Sequence, residues 1–442
     1  MDPRYEVLFD SSSSSEYESW LLEATVQGAS LLRQAAQITA DDAESSQNER
    51  PLTRRAAINR DREAAHDLLV RDYLAEHQLY STYQFRRRFR MNKALFLRIV
   101  RDVSEVNPIL RLQYDGRNKR GFTAEQKCTA AIRQIATGTA FDLWDEYLKM
   151  SERTVRESVY EFSSTIIHVY GKRYLRKPTP NDIQTLYAAH ESKHGFPGML
   201  GSVDCMHWEW AACPNAWRGQ FTRGDHRHPS IILEAVASHD LWIWHAFFGV
   251  SGANNDLNVL DQSLIFNDIY RGVTPFCPFQ VNGAYYKHGY YLADGIYRDY
   301  AVFVKSFTCP MDPKRKMFKV AQEAARKDVE RAFGVLRQRF HMIKYPSRAW
   351  DPRRIRDLMY ACIILHNMIL EDEGKAICTY DPDEVLPTYE PLPIGSAAYL
   401  ENRNEVQSKE IHNNLRADLV EHIYRARVEP GPVPDIEEEE WE

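Results

Sequence analysis

The chain has 442 residues, of which 44% are hydrophobic and 27% are charged, and its formal net charge at pH 7 is −6. This length exceeds what one core usually needs, so we expect one sizeable domain, a smaller one and tails. No apolar run reaches the roughly 18 residues that a membrane-spanning helix requires, and no secretion signal is recognisable, so the sequence predicts neither a membrane nor a secreted protein. The seven cysteines are scattered and never form a Cys-x-x-Cys pair, which argues against a disulfide framework or a zinc knuckle.

The charge is unevenly distributed along the chain. Residues 1–50 carry ten acidic and three basic residues, and residues 371–442 carry nineteen acidic and six basic ones. Residues 51–370, by contrast, carry 47 basic and 33 acidic residues. A basic body with acidic tails suits a polyanionic partner, because Lys and Arg that neutralise phosphates supply most sequence-independent affinity for nucleic acid. A basic surface that has no such partner is the alternative.

The N-terminal segment, residues 1–75, is predicted to be an acidic disordered tail. It begins with the serine run 11–15 and contains little that could bury a core. Transient helix is expected at 19–36 and 60–75.

Residues 80–175 are predicted to form a small all-α domain, because apolar residues recur there at spacings of three and four. The predicted helices 124–136, 139–148 and 151–169 suggest a helix-turn-helix, with Ser151 as the N-cap of the third helix. Such a motif would direct Arg153 and Arg156 toward DNA. Three packed helices with solvated arginines explain the same pattern equally well.

Beyond a proline-marked boundary at 178–180 and a linking helix at 182–194, the pattern changes to strands. The predicted strands are 198–210, 231–238, 242–250 and 290–293, and the second and third are joined tightly enough to form an antiparallel hairpin. Helices are predicted at 319–340 and 353–371. This order predicts a mixed α/β domain over residues 195–371. Residues 372–442 are acidic and Pro-rich, and we predict a largely disordered tail with one helix at 406–427.

Three acidic residues stand where a metal site is favoured. Asp204 interrupts one apolar strand-like run, Asp294 ends another, and Glu330 lies in a helical stretch that follows. An unpaired carboxylate in an apolar strand costs several kcal/mol unless a cation neutralises it. Two Mg²⁺ ions about 3.5–4 Å apart cleave phosphodiesters when a few carboxylates on rigid elements hold them. Because two strand ends and one helix can converge, we predict a divalent-metal site that cuts nucleic acid.

Each carboxylate also has a plain structural explanation. Asp294 precedes a glycine and fits a turn, and Asp204 fits an exposed strand position. Glu330 fits an i, i+4 ion pair with Arg326. Taken one at a time, these explanations are favoured, and only the joint occurrence of the three points to a site.

Two other groups of residues are weaker candidates. Asp256 lies in a Gly- and Asn-rich loop, where it fits a turn or a helix cap but could also reach the metal site. Cys205, Cys213, His226 and His228 could be imagined as zinc ligands, but their spacing fits no usual zinc motif. No phosphate-cradling loop that would indicate an NTPase is present.

Six short motifs follow one another in fixed order within residues 83–371. They are Gly201-Ser-Val-Asp-Cys-Met-His-Trp208, Leu233-Glu-Ala-Val-Ala-Ser-His-Asp-Leu-Trp-Ile-Trp-His-Ala-Phe-Phe-Gly249, Gly252-Ala-Asn-Asn-Asp-Leu-Asn-Val-Leu260, Gly289-Tyr-Tyr-Leu-Ala-Asp-Gly-Ile-Tyr297, Arg326-Lys-Asp-Val-Glu-Arg-Ala-Phe-Gly-Val-Leu336 and Ala361-Cys-Ile-Ile-Leu-His-Asn-Met368. Together they resemble the PIF/Harbinger superfamily of DDE transposases and their plant ALP1-like relatives. Any one motif is weak, whereas all six in order are highly specific.

The resemblance implies an RNase H-like nuclease core, with Asp204, Asp294 and Glu330 as its acidic triad and Asp256 as a further metal ligand. It also implies two Mg²⁺ or Mn²⁺ ions, action in the nucleus, cleavage of double-stranded DNA at element ends with strand transfer, and a Myb-like partner protein that helps DNA binding. A domesticated chromatin or DNA-binding protein that keeps the fold without cutting is the rival hypothesis. A phosphohydrolase of small molecules is a third, against which the basic body argues. The sequence leaves a homo-oligomer open.

Overall fold

The computed structural model describes residues 58, 60–384, 387 and 389–428 of the chain. Helices dominate the part that precedes the sheet: α1 Arg62–Leu69 with a π-helical turn Val70–Leu74, α2 Thr82–Phe89, α3 Lys93–Val106, α4 Ala124–Thr137, α5 Trp144–Leu148, α6 Glu152–Tyr174 and α7 Pro180–His194. The strands are β1 Met199–Glu209, β2 Ser230–Ala237, β3 Ile243–Ser251, β4 Phe279–Val281, β5 Ala284–Tyr286, β6 Tyr290–Leu292 and β7 Phe303–Val304. The remaining helices are α8 Asn215–Phe221, α9 Asp256–Gln262, α10 Asn267–Tyr270, α11 Pro313–Arg339, α12 His341–Lys344, α13 Pro352–Asp372, α14 Ala397–Val406 and α15 Lys409–Val428.

Five of the strands form a mixed sheet in the order β3-β2-β1-β6-β7. The first three are antiparallel neighbours, and β6 runs parallel to β1 and β7 parallel to β6. The four predicted strands are confirmed to within one residue at each end, and so is the predicted hairpin of β2 and β3. β4, β5 and β7 were not predicted; each has only two or three residues and offers too little alternation to indicate a strand.

The pairing between β1 and β6 covers only the start of β1. Ser202 is the last paired residue of β1 on this side, and it lies opposite Leu292. On its other side β1 pairs with β2 as far as Glu209. The second half of β1 therefore has an edge without a β6 partner, and the candidate site lies along this edge.

The long helix α11 begins six residues before its predicted start. Asp312 caps it, accepting a hydrogen bond from the backbone N–H of Arg315 (2.9 Å), and Pro313 occupies its first turn. The first turn is basic, and the buried face of the helix begins only at Phe318. Hydrophobic spacing alone therefore placed the start too late.

The helices before the sheet do not form a domain of their own, which corrects the prediction for residues 80–175. From Arg62 onward the chain forms one compact unit. Helix α6 runs on to Tyr174, and its second half is buried against α13. Asn367 of α13 donates one hydrogen bond to the carbonyl of Tyr174 (2.7 Å) and another to that of Ile243 in β3 (2.8 Å). This buried amide joins the helical part to the sheet.

Both predicted tails are shorter than expected. The first helix, α1, buries Ala65 and Leu69, so the segment from residue 62 is folded; residues 1–57 and 59 lie outside the described residues. At the other end α14 and α15 are helices, and α15 packs on the sheet side of the molecule with Leu415 and Leu419 buried. The helix predicted at 406–427 is therefore confirmed as α15, whereas α14 was not predicted; the apolar residues of α15 supply a core face within an acidic segment. Residues 429–442 lie outside the described residues.

Across the part of the chain that the structure describes, no helix combines the length and the apolar character that crossing a bilayer would require.

Candidate functional site

Asp204 lies on β1, two residues past the last pairing with β6. Its side chain is 20% exposed, and one carboxylate oxygen accepts the backbone N–H of Cys205 (2.8 Å). Burial raises the pKa of Asp204 to about 6, and the nearby charges of Asp256 and Glu330 add to the rise. The Cys205 N–H and the Arg326 guanidinium lower this pKa without cancelling the effect of burial.

Asp294 follows the end of β6 by the same number of residues. Ser202 of β1 pairs with Leu292 of β6; Asp204 lies two residues beyond this pair on β1, and Asp294 lies two residues beyond it in the turn that follows β6. Asp294 is exposed and its carboxylate accepts the N–H of Gly295 (2.7 Å), so the turn explanation also describes it correctly.

Helix α11 approaches this edge through residues spaced four apart. The buried amide of Gln322 donates to the carbonyls of Ala293 and Val304 (3.1 Å each), which ties the helix to the ends of β6 and β7. One turn later Arg326 lies 3.5 Å from the carboxylate of Asp204. One further turn brings Glu330, which is 2.9 Å from Arg326. The predicted i, i+4 ion pair is therefore present, and its arginine also reaches the strand carboxylate.

Asp256 is the first residue of α9, whose N-cap is Asn255. The side chain of Asn255 accepts the backbone N–H of Asn258 (2.9 Å), which fixes the start of the helix. Asp256 is half-buried, and its negative charge contributes to the raised pKa of Asp204. The structure thus brings Asp256 within electrostatic reach of Asp204, and Arg326 links Glu330 to Asp204. Asp294 lies in the turn after the strand that pairs with the start of β1.

The four carboxylates have the donor chemistry that a divalent cation requires. In the observed side-chain positions, however, they are too far apart to share one cation. Carboxylate oxygens are the ligands that Mg²⁺ and Mn²⁺ prefer, and the like charges around Asp204 favour a cation. Within residues 60–384, 387 and 389–428, however, no three carboxylate, imidazole or thiol groups are close enough to share one ion. The Arg326 guanidinium lies between Asp204 and Glu330 instead.

The connection between β1 and β2 adds residues that the sequence analysis did not assign to the site. Phe221 packs edge-on against Trp210 at the end of β1 (5.1 Å between ring centroids). His226 stacks on His207 of β1 (6.1 Å between ring centroids), and burial, followed by the nearby charge of Arg223, lowers the pKa of His207. The basic residues that follow Phe221 could have indicated that the β1–β2 connection belongs to the site. In the sequence this segment was considered only as a source of zinc ligands.

Another arginine of α11 covers the open edge of β1. The Arg337 guanidinium donates a 2.6 Å hydrogen bond to the carbonyl of His207. Because β6 pairs with β1 only as far as Ser202 and no other strand of the described chain pairs with β1 on this side, that carbonyl would otherwise lack a strand partner. Arg337 therefore helps to hold α11 along the strand that carries Asp204.

The two predicted DNA-binding arginines lie at the start of α6, where Ser151 is the N-cap as predicted. Arg153 is 86% exposed and pairs with Glu157 (2.8 Å), and Arg156 pairs with Glu152. Both are therefore accessible on a helix surface, and both have a glutamate partner one turn away. This arrangement is equally consistent with solvated arginines and with arginines that bind a DNA phosphate.

Comparison with known proteins covers the same region. Residues 172–377 match a family model described as plant transposon protein, and residues 66–104 match a model of a domain of unknown function. The chain is 22% identical to the human protein named "Putative nuclease HARBI1" over 255 residues, which is 57% of this chain and 69% of the relative. The Xenopus laevis protein of that name is 22% identical over 62% of this chain and 77% of its own length. The Arabidopsis thaliana "Protein ALP1-like" is 19% identical over 59% of this chain and 64% of its own. No solved structure matches the chain.

The matched region contains all four of the acidic residues that the sequence motifs singled out. Its relatives carry the names that the six motifs implied. Over this region the chain is therefore similar to the Harbinger-type transposase-derived nucleases.

Proposed function

We propose that the protein is a divalent-metal-dependent DNA endonuclease of the PIF/Harbinger type, and that Asp204, Asp294 and Glu330 are its catalytic carboxylates. The observation that carries the proposal is the convergence at one sheet edge. Asp204 and Asp294 each lie two residues beyond the last pair of β1 with β6, and Glu330 is joined to Asp204 through Arg326. Three acidic residues from separate parts of the sequence are thus directed to the same edge of the sheet.

The sheet supports an RNase H-like core. Three antiparallel strands are followed across the sheet by two that run parallel to the first, and helices flank the sheet. The first carboxylate lies on β1, the second follows β6, and the third lies on α11 after β7. This sequence of strand, strand and helix is the arrangement that the resemblance implies for an acidic triad.

Two Mg²⁺ or Mn²⁺ ions would supply the hydroxide nucleophile and stabilise the leaving oxygen during phosphodiester cleavage. The chain's own part is to hold carboxylates at fixed positions. The Gln322 amide fixes α11 against the ends of β6 and β7, and the Arg337 guanidinium fixes it along β1. Asp204, Asp294, Glu330 and, more peripherally, Asp256 would be the ligands. Rigid elements are required because a misplacement of about 1 Å can cost a hundredfold in rate.

Double-stranded DNA is the proposed substrate. The excess of basic residues over residues 51–370 favours a polyanion. Arg153 and Arg156 on α6 and Arg223 beside His207 are exposed candidates for phosphate contacts. Action in the nucleus, a Myb-like partner protein and self-association are further parts of this proposal that the family resemblance suggests.

The test is cleavage of DNA by the purified full chain. Supercoiled plasmid and duplexes that carry the element's own ends are incubated with Mg²⁺ or Mn²⁺, with EDTA as the metal-free arm. We expect nicking or double-strand cleavage that requires the metal and that Asp204→Asn or Glu330→Gln abolishes, a loss of at least about a hundredfold because each carboxylate would hold the metal. Glu401→Gln, an exposed glutamate on α14, is the matched control and should retain wild-type activity.

A non-cutting DNA-binding protein is the second candidate, and one observation favours it. In the described chain the carboxylates are gathered around an arginine, and no three potential ligands are close enough to share an ion. This candidate predicts tight, salt-dependent DNA binding that is equal in wild type and Asp204→Asn, with no cleavage under any metal condition. That outcome would contradict the endonuclease proposal.

A further inference from the structure

Arg326 occupies the position between carboxylates where a shared cation would bind. Its guanidinium is 3.5 Å from Asp204 and 2.9 Å from Glu330, and these are the two carboxylates within ion-pair distance of it in the described chain. The arginine side chain is only 18% exposed. A guanidinium stays protonated at any ordinary pH and has no lone pair to offer a metal, so it cannot join a coordination shell.

Arg326 and a divalent cation therefore compete for the same oxygens. A cation held by Asp204 and Glu330 would place at least two positive charges within a few ångströms of the guanidinium, and that repulsion is strong at a half-buried site. The observed contacts give each of the two carboxylates a positively charged partner without metal. For the carboxylates to become ligands, the Arg326 side chain must leave both of them.

An arginine that leaves its partners in a half-buried position needs another anion, because an unpaired buried charge is costly. The planar guanidinium fork matches a phosphate as well as it matches a carboxylate. If DNA is the substrate, its backbone brings that anion to the same edge of the sheet. The long flexible stem of arginine lets the group move while the helix stays anchored by Gln322.

We propose that Arg326 is a counter-ion of Asp204 and Glu330 that lowers their affinity for metal in the absence of DNA. When DNA binds, the Arg326 side chain moves from these two carboxylates to a backbone phosphate. Divalent metal and DNA would consequently bind with positive coupling, each tightening the other by the same factor. This inference rests on the proposed function, because it takes the carboxylates as the metal site and DNA as the substrate. It explains why an arginine lies between two carboxylates of the site, and it predicts that tight metal binding requires bound DNA.

The test measures cation binding directly and does not depend on cleavage. Isothermal titration calorimetry with Ca²⁺, which accepts carboxylate ligands in flexible geometry, is carried out on the full chain with and without a DNA duplex at constant ionic strength. For the wild type we expect weak Ca²⁺ binding alone and binding about 5–150 times tighter with DNA. For Arg326→Ala we expect Ca²⁺ binding at least about ten times tighter than wild type without DNA, and little further gain when DNA is added.

Three variants act as controls. Lys327→Ala removes one positive charge from an exposed neighbour on the same helix and should behave as wild type. Arg326→Lys keeps the charge without the planar fork and should fall between wild type and Arg326→Ala. Arg326→Gln, which is uncharged but polar, replaces Arg326→Ala if thermal melting shows that the alanine variant does not fold.

The outcomes separate the two proposals. Ca²⁺ binding that Glu330→Gln abolishes, but that Arg326→Ala and Arg326→Gln leave unchanged, overturns the role of Arg326 and leaves the metal site standing. Equal coupling between DNA and Ca²⁺ in wild type and Arg326→Ala likewise overturns it. Failure of wild type and Arg326→Ala to bind Ca²⁺, Mg²⁺ or Mn²⁺, with or without DNA, contradicts the proposed function itself.

Discussion

The carboxylate of Asp204 differs from that of an ordinary surface aspartate in two respects. It is largely removed from water, and Asp256 and Glu330 place like charges near it. Both effects penalise the ionised form, and the positive charge of Arg326 offsets them only in part. In metal-free protein the ionised Asp204 is therefore a destabilising group, which is the electrostatic condition that a cation would relieve.

This condition predicts a pH-dependent stability difference between wild type and Asp204→Asn. The pKa of Asp204 in the folded protein is about 6, above the ordinary value near 4, so the native state holds the proton more tightly than the unfolded state. The stabilising contribution of protonated Asp204 to the free energy of unfolding is fully present below about pH 4 and is lost as pH rises through about 6. Asparagine does not titrate, and its amide oxygen can still accept the Cys205 N–H.

In EDTA-containing buffer at pH 8 we expect Asp204→Asn to be more stable than wild type by about 2–3 kcal/mol, and the difference to shrink toward zero near pH 4. Urea denaturation of both proteins at a series of pH values measures it. A variant that is equally stable or less stable at pH 8 would show that the carboxylate is not under electrostatic stress.

At this scale the sequence predicted the acidic residues and also the ion pair of Glu330 with Arg326. It could not predict that the same arginine reaches Asp204, because that contact depends on how α11 lies against β1. The sequence also does not show whether Arg153 and Arg156 bind DNA, since their contacts with Glu157 and Glu152 are those of any solvated helix face.

Among the elements, α11 is the one that determines whether the third carboxylate meets the first two. Gln322 is buried and donates to two carbonyls at the ends of β6 and β7. These strands have only three and two residues, so they have few ladder hydrogen bonds of their own. The amide therefore positions the strand that leads to Asp294 and the helix that carries Glu330 relative to each other.

We expect Gln322→Ala to destabilise the protein by about 1–3 kcal/mol, because it removes the donor to the buried carbonyl of Ala293 and leaves the Val304 carbonyl with only the Ala293 N–H. Gln338→Ala is the matched control on the same helix: this side chain is exposed, and its loss should change stability by less than about 0.5 kcal/mol. Urea denaturation curves of the two variants give the comparison. An equal effect of the two substitutions would rule out an anchoring role for Gln322.

The elements also show where pattern analysis works and where it stops. Long strands and helices with a regular apolar face, such as β1 to β3 and α13, were predicted nearly at their observed ends. The short strands β4, β5 and β7 were not predicted, because their existence depends on neighbours rather than on their own sequence. The β4–β5 hairpin, for example, is buried through Phe279 and Val281 against residues far away in the chain.

For the whole molecule, composition was misleading about the limits of the fold. Acidic and Pro-rich character predicted a largely disordered C-terminal segment with one helix at 406–427; that helix is present as α15, and the unpredicted helix α14 precedes it. The acids of α15 have partners: Glu421 pairs with Lys314 (2.6 Å), and Asp418 accepts hydrogen bonds from Tyr286 (2.5 Å) and Asn282 (2.9 Å). Net charge describes association and solubility, and it does not determine whether a segment has a core face.

The helical part before the sheet shows the same limitation. Its helices were predicted, but their assignment to a separate domain was wrong, because α6 is buried against α13 and Asn367 joins both to the sheet. Apolar residues on more than one side of a helix predict that the helix is buried, but they do not predict which element it packs against. The position of Arg153 and Arg156 relative to the carboxylates is therefore fixed by packing within one unit and not by a flexible linker.

The central claim is that Asp204, Asp294 and Glu330 form one metal centre, and the most direct measurement is anomalous X-ray scattering from crystals soaked in Mn²⁺. We predict anomalous density within about 2.5 Å of a carboxylate oxygen of Asp204, with Asp294 or Glu330 as a second ligand and the Arg326 side chain displaced. Saturating Mn²⁺ that gives no density at this edge of the sheet, with Arg326 still between Asp204 and Glu330, would contradict the account.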